Sequence, residues 1–248
     1  MERHYVSMGW RDALFAHWPV DAGVVADSLP AGLTPRTHDD SAWLGIVAFV
    51  MEDIRPRGVP QQLGLTFGEA NLRTYVAGPD GGKGIYFYNL DAGDRLSVAI
   101  ARRFYQLPYY SAHMDIDRTG AMPGQSAPHE RRVDFTSHRA HPDAADAYID
   151  ASYGPLDERL RPDDGTLTNF LVENYRFYLA EGSPEAATAG DLFYGDVGHP
   201  PWRVYEADLH LRSTNFFAVN GFERPAAEPL VHYSPGVPVD ADRIRRVD

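Results

Sequence analysis

The stretch "FGEANLRTYVAGPDGGKGIYFYNL", residues 67–90, contains two strand-like segments around a turn. Its central "AGPDGG" supplies the proline, aspartate and glycines that favour tight turns. The two flanking segments therefore predict an antiparallel hairpin. In strand geometry Glu69, Asn71, Arg73 and Tyr75 share one face, so that face is polar throughout.

This polar face has two interpretations. It is typical of the solvated outer face of an antiparallel sheet. Alternatively, it lines a cavity in which a carboxylate and a guanidinium orient a small ligand.

The rest of the chain adds strands and a few helices. "RDALFAHWPV" predicts a strand, and the short helix after it is capped by Asp21 and stopped by Pro30. Helical spacing predicts two longer helices over 95–108 and 166–182, whereas 138–165 is predicted to be a loop. Further strands are predicted for "AWLGIVAFVME", "RRVDFTS", "WRVYEADLHL" and "PLVHYS". The fold class is mainly β (α+β), and residues 1–248 are expected to form a single domain.

Composition excludes several functions. The net charge is −12, with one lysine, which disfavours nucleic-acid binding and acidic membrane surfaces. The lack of cysteine excludes a disulfide or a thiolate nucleophile. No signal-peptide pattern and no apolar run of about 18 residues occurs, so a cytoplasmic location is expected. The acidic, lysine-poor composition suggests either a halophilic cytoplasm or a genome of high GC content.

Few residues offer strong chemistry on their own. Lys83 is the sole candidate for amine nucleophilic catalysis, but its glycine-rich "PDGGKG" context favours a solvated surface turn. His138 and His141 are three residues apart without further ligands, so no metal site is predicted. His17 and His199 have tryptophans nearby, which favours packed histidines over ligand contacts.

Several motifs together resemble the YqjF-like family of uncharacterised proteins, which is similar to the acetoacetate decarboxylase superfamily. They include "LFAHWPVD", "AWLGIVAF", "GEANLRTYV", "LPYYSAHM", "FLVENYRFY", "GHPPW" and "PLVHYSPGVPV", and they span about residues 10–240. The resemblance implies a conical antiparallel β-barrel or sheet that encloses a cavity, with helices packed outside. It also implies a homo-oligomer as a possible assembly.

The resemblance assigns positions in this chain to the decarboxylase site. Arg11 takes the place of a substrate-binding arginine, and Glu69 that of an active-site glutamate, while the second acidic position falls near Gly45. Tyr109 stands where the Schiff-base lysine would be, and Tyr110 stands where its pKa-lowering neighbour would be. Without an amine there, a β-keto acid cannot form the iminium that serves as electron sink.

Three hypotheses follow for the function. The first is a small-molecule-binding protein without cofactor or metal. Its predicted ligand-binding residues are Arg11, Glu69, Asn71, Arg73, Tyr109 and Tyr110. The second is an enzyme in which Glu69 is the general acid or base and Tyr109 polarises a carbonyl for enolisation, hydration or dehydration. The third is an interaction protein whose aromatics, including the two tyrosines, serve only packing.

Overall fold

A computed structural model describes residues 5–93, 109–122, 128–180 and 191–247. The helix predicted over 95–108 lies outside these residues. The described strands are β1 Val6–Val20, β2 Thr34–Pro35, β3 Ala42–Pro56, β4 Leu65–Ala77, β5 Lys83–Ala92, β6 Tyr109–Thr119, β7 Arg132–Arg139, β8 Tyr148–Leu160, β9 Arg176–Ala180, β10 Leu192–Gly198, β11 Val204–Thr214, β12 Leu230–Ala241 and β13 Arg245–Arg246. The described α-helices are α1 Ala22–Ser28, α2 Leu167–Val172 and α3 Phe216–Val219, and single 3-10 turns lie at Gln61–Leu63 and Pro128–Glu130. None of the helices in the described ranges is long and apolar enough to cross a membrane.

The described strands form one sheet that closes on itself twice. Its order is β13-β10-β9-β5-β6-β7-β8-β11-β12-β1-β3-β4-β2, with additional pairings of β5 with β4 and of β10 with β12. All pairs are antiparallel except those of β5 with β6 and with β9. Strands β12, β1, β3, β4 and β5 therefore belong to two rings, one completed by β6, β7, β8 and β11 and the other by β9 and β10. We call these five strands the shared wall.

The shared wall carries a hydrophobic core on each of its faces. Ile46 and Leu72 pack in one core with Phe135 of β7, whereas Val47 packs in the other core with Trp202. Successive side chains of a strand point to opposite faces, so a wall buried on both sides needs apolar residues at consecutive positions. This explains why "AWLGIVAFVM" in β3 is apolar without alternation.

The hairpin and the first strand–helix unit are confirmed. Strands β4 and β5 pair antiparallel around the predicted turn, with Glu69 opposite Ala92. Asp21 caps α1, because its Oδ1 accepts hydrogen bonds from the backbone N–H groups of Gly23 and Val24.

Two predictions about the second half of the chain are wrong. The helix predicted over 166–182 ends at Val172, and the chain continues as strand β9, which pairs with β5 and β10. The aromatic run "YRFYL" fits both the period of a helix and the period of a strand, and pairing with the sheet makes it a strand. The loop predicted over 138–165 contains β8, in which buried Ile149, Ala151 and Tyr153 alternate with more exposed residues.

A bulge in β1 shapes the ring that contains β9 and β10. Asp12 adopts a left-handed φ of 51°, and the register with β3 shifts between Arg11 and Leu14. The carboxylate of Asp12 is buried and accepts two hydrogen bonds from Arg131, at 2.8 and 2.6 Å. Because the bulge inserts one residue, Trp10 before it and Phe15 after it point to the same side of the sheet.

Replacing Asp12 by alanine should destabilise the protein strongly, since Arg131 would keep a largely buried charge without its partner. The expected loss is about 3–5 kcal/mol in the free energy of unfolding. Urea unfolding measures it, with Asp208→Ala as the control because the Asp208–Arg132 pair is solvent-exposed. The control should lose no more than about 1 kcal/mol, and equal losses in the two variants would contradict the role of Asp12.

Candidate functional site

A cavity of about 690 Å³ lies between the shared wall and strands β9 and β10. Most of its lining is apolar and aromatic. Prominent apolar residues in it are Met8, Trp10, Phe15, Val47, Phe49, Met51, Phe87, Phe177 and Trp202. This volume and character are typical of sites for small organic ligands.

Strand β4 gives the depth of the cavity. Leu65 lies near the exposed Leu63, Glu69 lies four residues further along the strand, and the buried Arg73 lies four residues beyond Glu69. We call the exposed end near Leu63 the mouth and the buried end at Arg73 the closed end. Tyr75, two residues beyond Arg73, is fully buried, and its hydroxyl donates to the carbonyl of Leu171 at 2.8 Å.

Glu69 and Tyr109 form a buried hydrogen-bonded pair. The Tyr109 hydroxyl donates to Glu69 Oε2 at 2.6 Å, and Asn71 Nδ2 donates to Glu69 Oε1 at 3.2 Å. Burial raises the pKa of Glu69 to about 7, against the lowering effects of these hydrogen bonds and of the Arg73 charge. Burial, together with the Glu69 charge, holds the pKa of Tyr109 well above its ordinary value, so Tyr109 is a neutral phenol at neutral pH.

Arg73 is buried toward the closed end without a carboxylate partner among the described residues. Its Nη2 donates to the Leu171 carbonyl at 3.3 Å, and its guanidinium lies 5.5 Å from the Phe15 ring and 5.9 Å from the Tyr75 ring. Its Nε–H has no hydrogen-bond acceptor in the part of the chain that the structure describes. A guanidinium in this state attracts an anion strongly, since neither solvent nor a protein carboxylate neutralises it.

Two buried histidines lie close together near Arg73. Burial, helped by the Arg73 charge, holds the pKa of His17 well below its usual value, and burial lowers the pKa of His232 to about 4. Both are neutral at pH 7. The Tyr75 hydroxyl lies 2.7 Å from His17 Nε2, and its single proton is directed to Leu171, so Nε2 of His17 is the donor in that contact.

The comparisons with known proteins agree with this architecture. The family DUF2071, described as an uncharacterized conserved protein, matches residues 7–238. The chain belongs to this family. A relative, uncharacterized protein YqjF of Bacillus subtilis (strain 168), is 33% identical over 226 residues, which cover 91% of this chain and 85% of YqjF.

The fold of this DUF2071 protein is that of acetoacetate decarboxylase-like enzymes. The enduracididine biosynthesis enzyme MppR complexed with pyruvate superposes with a TM-score of 0.67 at 13% identity, covering 100% of this chain and 91% of MppR. An acetoacetate decarboxylase-like enzyme from Sphingomonas wittichii RW1 gives 0.63 at 14% identity, with 99% and 94% covered. Acetoacetate decarboxylase from Legionella pneumophila gives 0.61 at 12%, with 98% and 87% covered. Identities this low show the fold alone.

Four of the six predicted ligand-binding residues line the cavity of this DUF2071 protein. They are Glu69, Asn71, Arg73 and Tyr109. All four are buried, so the polar face of β4 is not the solvated outer face that its alternation also allowed. This face of β4 therefore lines a cavity.

Arg11 does not line the cavity, and its predicted place there is corrected. The bulge at Asp12 turns Arg11 away from the side that Trp10 and Phe15 occupy. The Arg11 guanidinium instead folds back over Gly9 and pairs with Glu52 at 3.4 Å. The prediction rested on the resemblance to the decarboxylases, and a comparison of sequence positions does not show the bulge between Arg11 and Leu14.

Tyr110 is also corrected, because it lies on the face of β6 opposite to Tyr109. Its ring contacts the Arg139 guanidinium at 3.9 Å from the ring centroid and meets the His141 ring edge-on. Arg139 in turn pairs with buried Asp91 at 2.7 Å. Tyr110 therefore belongs to a polar cluster outside the cavity.

The other candidate residues lie apart from one another. Lys83 is exposed at the start of β5 and does not line the cavity. His138 stacks on Tyr148, and His141 Nδ1 accepts from the backbone N–H of Ser111 at 3.3 Å. Across the parts of the chain that the structure describes, no group of three or more histidine or acidic residues could hold a metal ion.

Sequence reasoning missed the aromatic part of the lining. Trp10 and Trp202 stack at 5.9 Å, and Phe177 joins them from β9. The bulge changes the alternation along β1, so the side on which Trp10 lies could not be derived from that of Phe15. Phe177 lay in a segment predicted as helix. The signal that was available is the density of aromatics in "MGW", "YRFYL" and "HPPW".

The raised pKa of Glu69 predicts how stability depends on pH. An acid with a pKa of about 7 in the folded chain and about 4.5 when unfolded binds its proton more tightly in the folded state. Stability due to this group is therefore full below about pH 4.5 and is lost as the pH rises through 7. Between pH 5 and 8, the wild type should lose on the order of 3 kcal/mol relative to Glu69→Gln. Chemical unfolding of both proteins at the two pH values tests this, and a constant difference between them would refute it.

Proposed function

We propose that this protein binds a small molecule with a carboxylate or carbonyl group inside the cavity. The observation that carries the proposal is the state of Arg73. It is a buried cation in a mostly apolar cavity, and it forms no ion pair with a carboxylate in the described ranges. Burying a guanidinium costs free energy unless a counter-ion compensates it, and a ligand carboxylate is suited to that role.

Other cavity groups supply directional hydrogen bonds. Within residues 5–93, 109–122, 128–180 and 191–247, Asn71 Oδ1 is a buried acceptor without a donor, and His199 Nε2 and Trp10 Nε1 are buried without partners. Groups of this kind favour a ligand that carries polar atoms of its own, because such atoms remove the cost of leaving buried groups unpaired.

The proposed mode of binding uses no Schiff base. The single lysine, Lys83, is exposed outside the cavity, and the residue facing Glu69 is the neutral phenol of Tyr109. A phenol can donate to a ligand oxygen but cannot form an iminium. The MppR structure that shares the fold contains pyruvate, which makes small keto acids reasonable first ligands.

Binding should appear as thermal stabilisation by small keto and hydroxy acids. At about 100-fold excess over the Kd, a ligand stabilises by about 2.7 kcal/mol. Differential scanning fluorimetry should show this for the wild type and for Arg159→Ala, which removes an exposed arginine, but not for Arg73→Ala. Tyr109→Phe should weaken the shift, with Tyr110→Phe as its matched control outside the cavity. The proposal fails if no acid stabilises the wild type or if Arg73→Ala responds equally.

The pKa of Glu69 favours a second candidate, an enzyme that moves a proton. A carboxyl group that titrates at about 7 can both accept and donate protons at neutral pH. Its hydrogen bond to Tyr109 places a neutral donor beside it, where a substrate carbonyl could be polarised. Enolisation, hydration and dehydration are the reaction types that fit this pair.

If Glu69 acts as a general base, exchange of the α-hydrogens of a bound keto acid into D₂O should be accelerated. The rate should rise with pH through about 7 as Glu69 ionises. NMR measures the exchange. Glu69→Gln should abolish it, and Tyr109→Phe should slow it by roughly 100-fold. Glu52→Gln, which alters a glutamate outside the cavity, should leave it unchanged. A profile without change between pH 5 and 8 would exclude this role.

A further inference from the structure

We infer that the ligand of this cavity is a long amphipathic carboxylate that binds head-first, with its charge at Arg73 and its apolar tail toward the mouth. The inference rests on the proposed function and specifies the class of molecule. Three features of the lining carry it: the separation of the polar groups, the unpaired acceptor between them, and the apolar walls near the mouth.

Two charged groups of the polar face of β4, Glu69 and Arg73, are separated along the cavity. Glu69 and Arg73 are four residues apart on β4, or about 13 Å between their Cα atoms. The Arg73 side chain does not reach along the strand to Glu69. It leans across β3 toward Phe15, passing over Gly45, and its Cγ lies 3.6 Å from where a Cβ of residue 45 would be. A ligand longer than pyruvate is better suited to contact both groups at once.

Asn71 lies between these two groups on the same face of β4. Its Nδ2 donates to Glu69, while its buried Oδ1 receives no hydrogen bond from any described residue. A hydroxyl or an amide N–H on the ligand, a few atoms from the carboxylate, would satisfy this acceptor. The next group toward the mouth, the Glu69–Tyr109 pair, would then meet a carbonyl or hydroxyl oxygen.

From Glu69 to the mouth the lining changes to large apolar side chains. Trp10, Phe49, Met51 and Leu65 all lie in this part. Leu65 is eight residues from Arg73, which is roughly 26 Å along the strand. A small acid would leave this apolar part filled with poorly bonded water, whereas an alkyl or aryl tail would displace it. Each methylene buried there should tighten binding about three- to fourfold.

The orientation of the ligand in the cavity follows from the different solvent exposure of Arg55 and Arg243 at the mouth and of Arg73 at the closed end. Arg55 at the mouth is partly exposed and donates to the Asp53 carbonyl at 2.7 Å, and Arg243 at the mouth is exposed. Neither needs an anion. Arg73 is buried and has no carboxylate partner among the residues that the structure describes, so it gains most from the ligand carboxylate.

The test uses N-acylglycines, which carry a carboxylate, an amide N–H, a carbonyl and a variable tail in this order. Isothermal titration calorimetry should give a Kd that falls steadily from N-acetylglycine through N-butanoyl- and N-hexanoylglycine to N-octanoylglycine. The methyl ester of N-octanoylglycine should bind at least 100-fold more weakly than the acid. Arg73→Ala should lose most of the affinity, whereas Arg55→Ala should retain it.

Variants that narrow the cavity near its mouth distinguish binding of the ligand's apolar tail from binding of its carboxylate. Met51→Trp, and Ile54→Trp nearer the mouth in case the first variant does not fold, should weaken N-octanoylglycine at least tenfold while leaving N-acetylglycine unchanged. Equal effects on both ligands, or dependence on Arg55 instead of Arg73, would overturn the inferred orientation. Binding of pyruvate or N-acetylglycine through Arg73, without any gain from the tail, would overturn the long-ligand inference and leave the proposed function standing. Failure of every acid to bind would overturn both.

Discussion

The buried ion pair between Asp12 and Arg131 fixes the geometry on which the cavity depends. It holds Asp12 in a left-handed conformation that adds one residue to β1. This extra residue reverses the alternation of β1, so Trp10 and Phe15 both enter the cavity and Arg11 leaves it. The pair lies on the other side of the shared wall from the cavity, with Tyr153 donating to the Asp12 carbonyl at 2.8 Å. The core of one ring thus determines the lining of the other.

Within the cavity, the two charged groups on the polar face of β4 have different surroundings. Midway, Glu69 receives hydrogen bonds from Tyr109 and Asn71, yet burial still brings its pKa close to neutral. Toward the closed end, Arg73 contacts the Leu171 carbonyl and the rings of Phe15 and Tyr75 and, within the described residues, no carboxylate. A fold selected for stability alone would pair these two groups or replace them with apolar residues. Leaving a cation uncompensated in this position is characteristic of functional sites, where stability is exchanged for ligand binding.

Local sequence patterns predicted the part of the site that follows regular strand geometry. The alternation in β4 placed Glu69, Asn71 and Arg73 together, and the turn chemistry of "AGPDGG" fixed the hairpin. The position of Arg11, which was assigned from the resemblance, was not reliable, because a bulge held by a contact 119 residues away changes the face on which it lies. Alternation also could not predict β9, whose aromatic run becomes a strand only through pairing with β5 and β10. Whether the polar face of β4 met solvent or a cavity depended on closure of the sheet, which is a tertiary property.

The shared wall also has a consequence for how such proteins diversify. Along the regular parts of β3 and β4, odd-numbered positions such as Val47 and Asn71 face the cavity, while Ile46 and Leu72 face the second core. Substitutions at alternate positions therefore act on two separate surfaces, the cavity lining on one side and the second core on the other. A lineage can change the shape and polarity of the cavity by substitutions at the cavity-facing positions, while the intervening residues retain the packing of the second core. Because the two sets of residues alternate, one strand can vary its cavity-facing side chains while the packing of the second core stays the same.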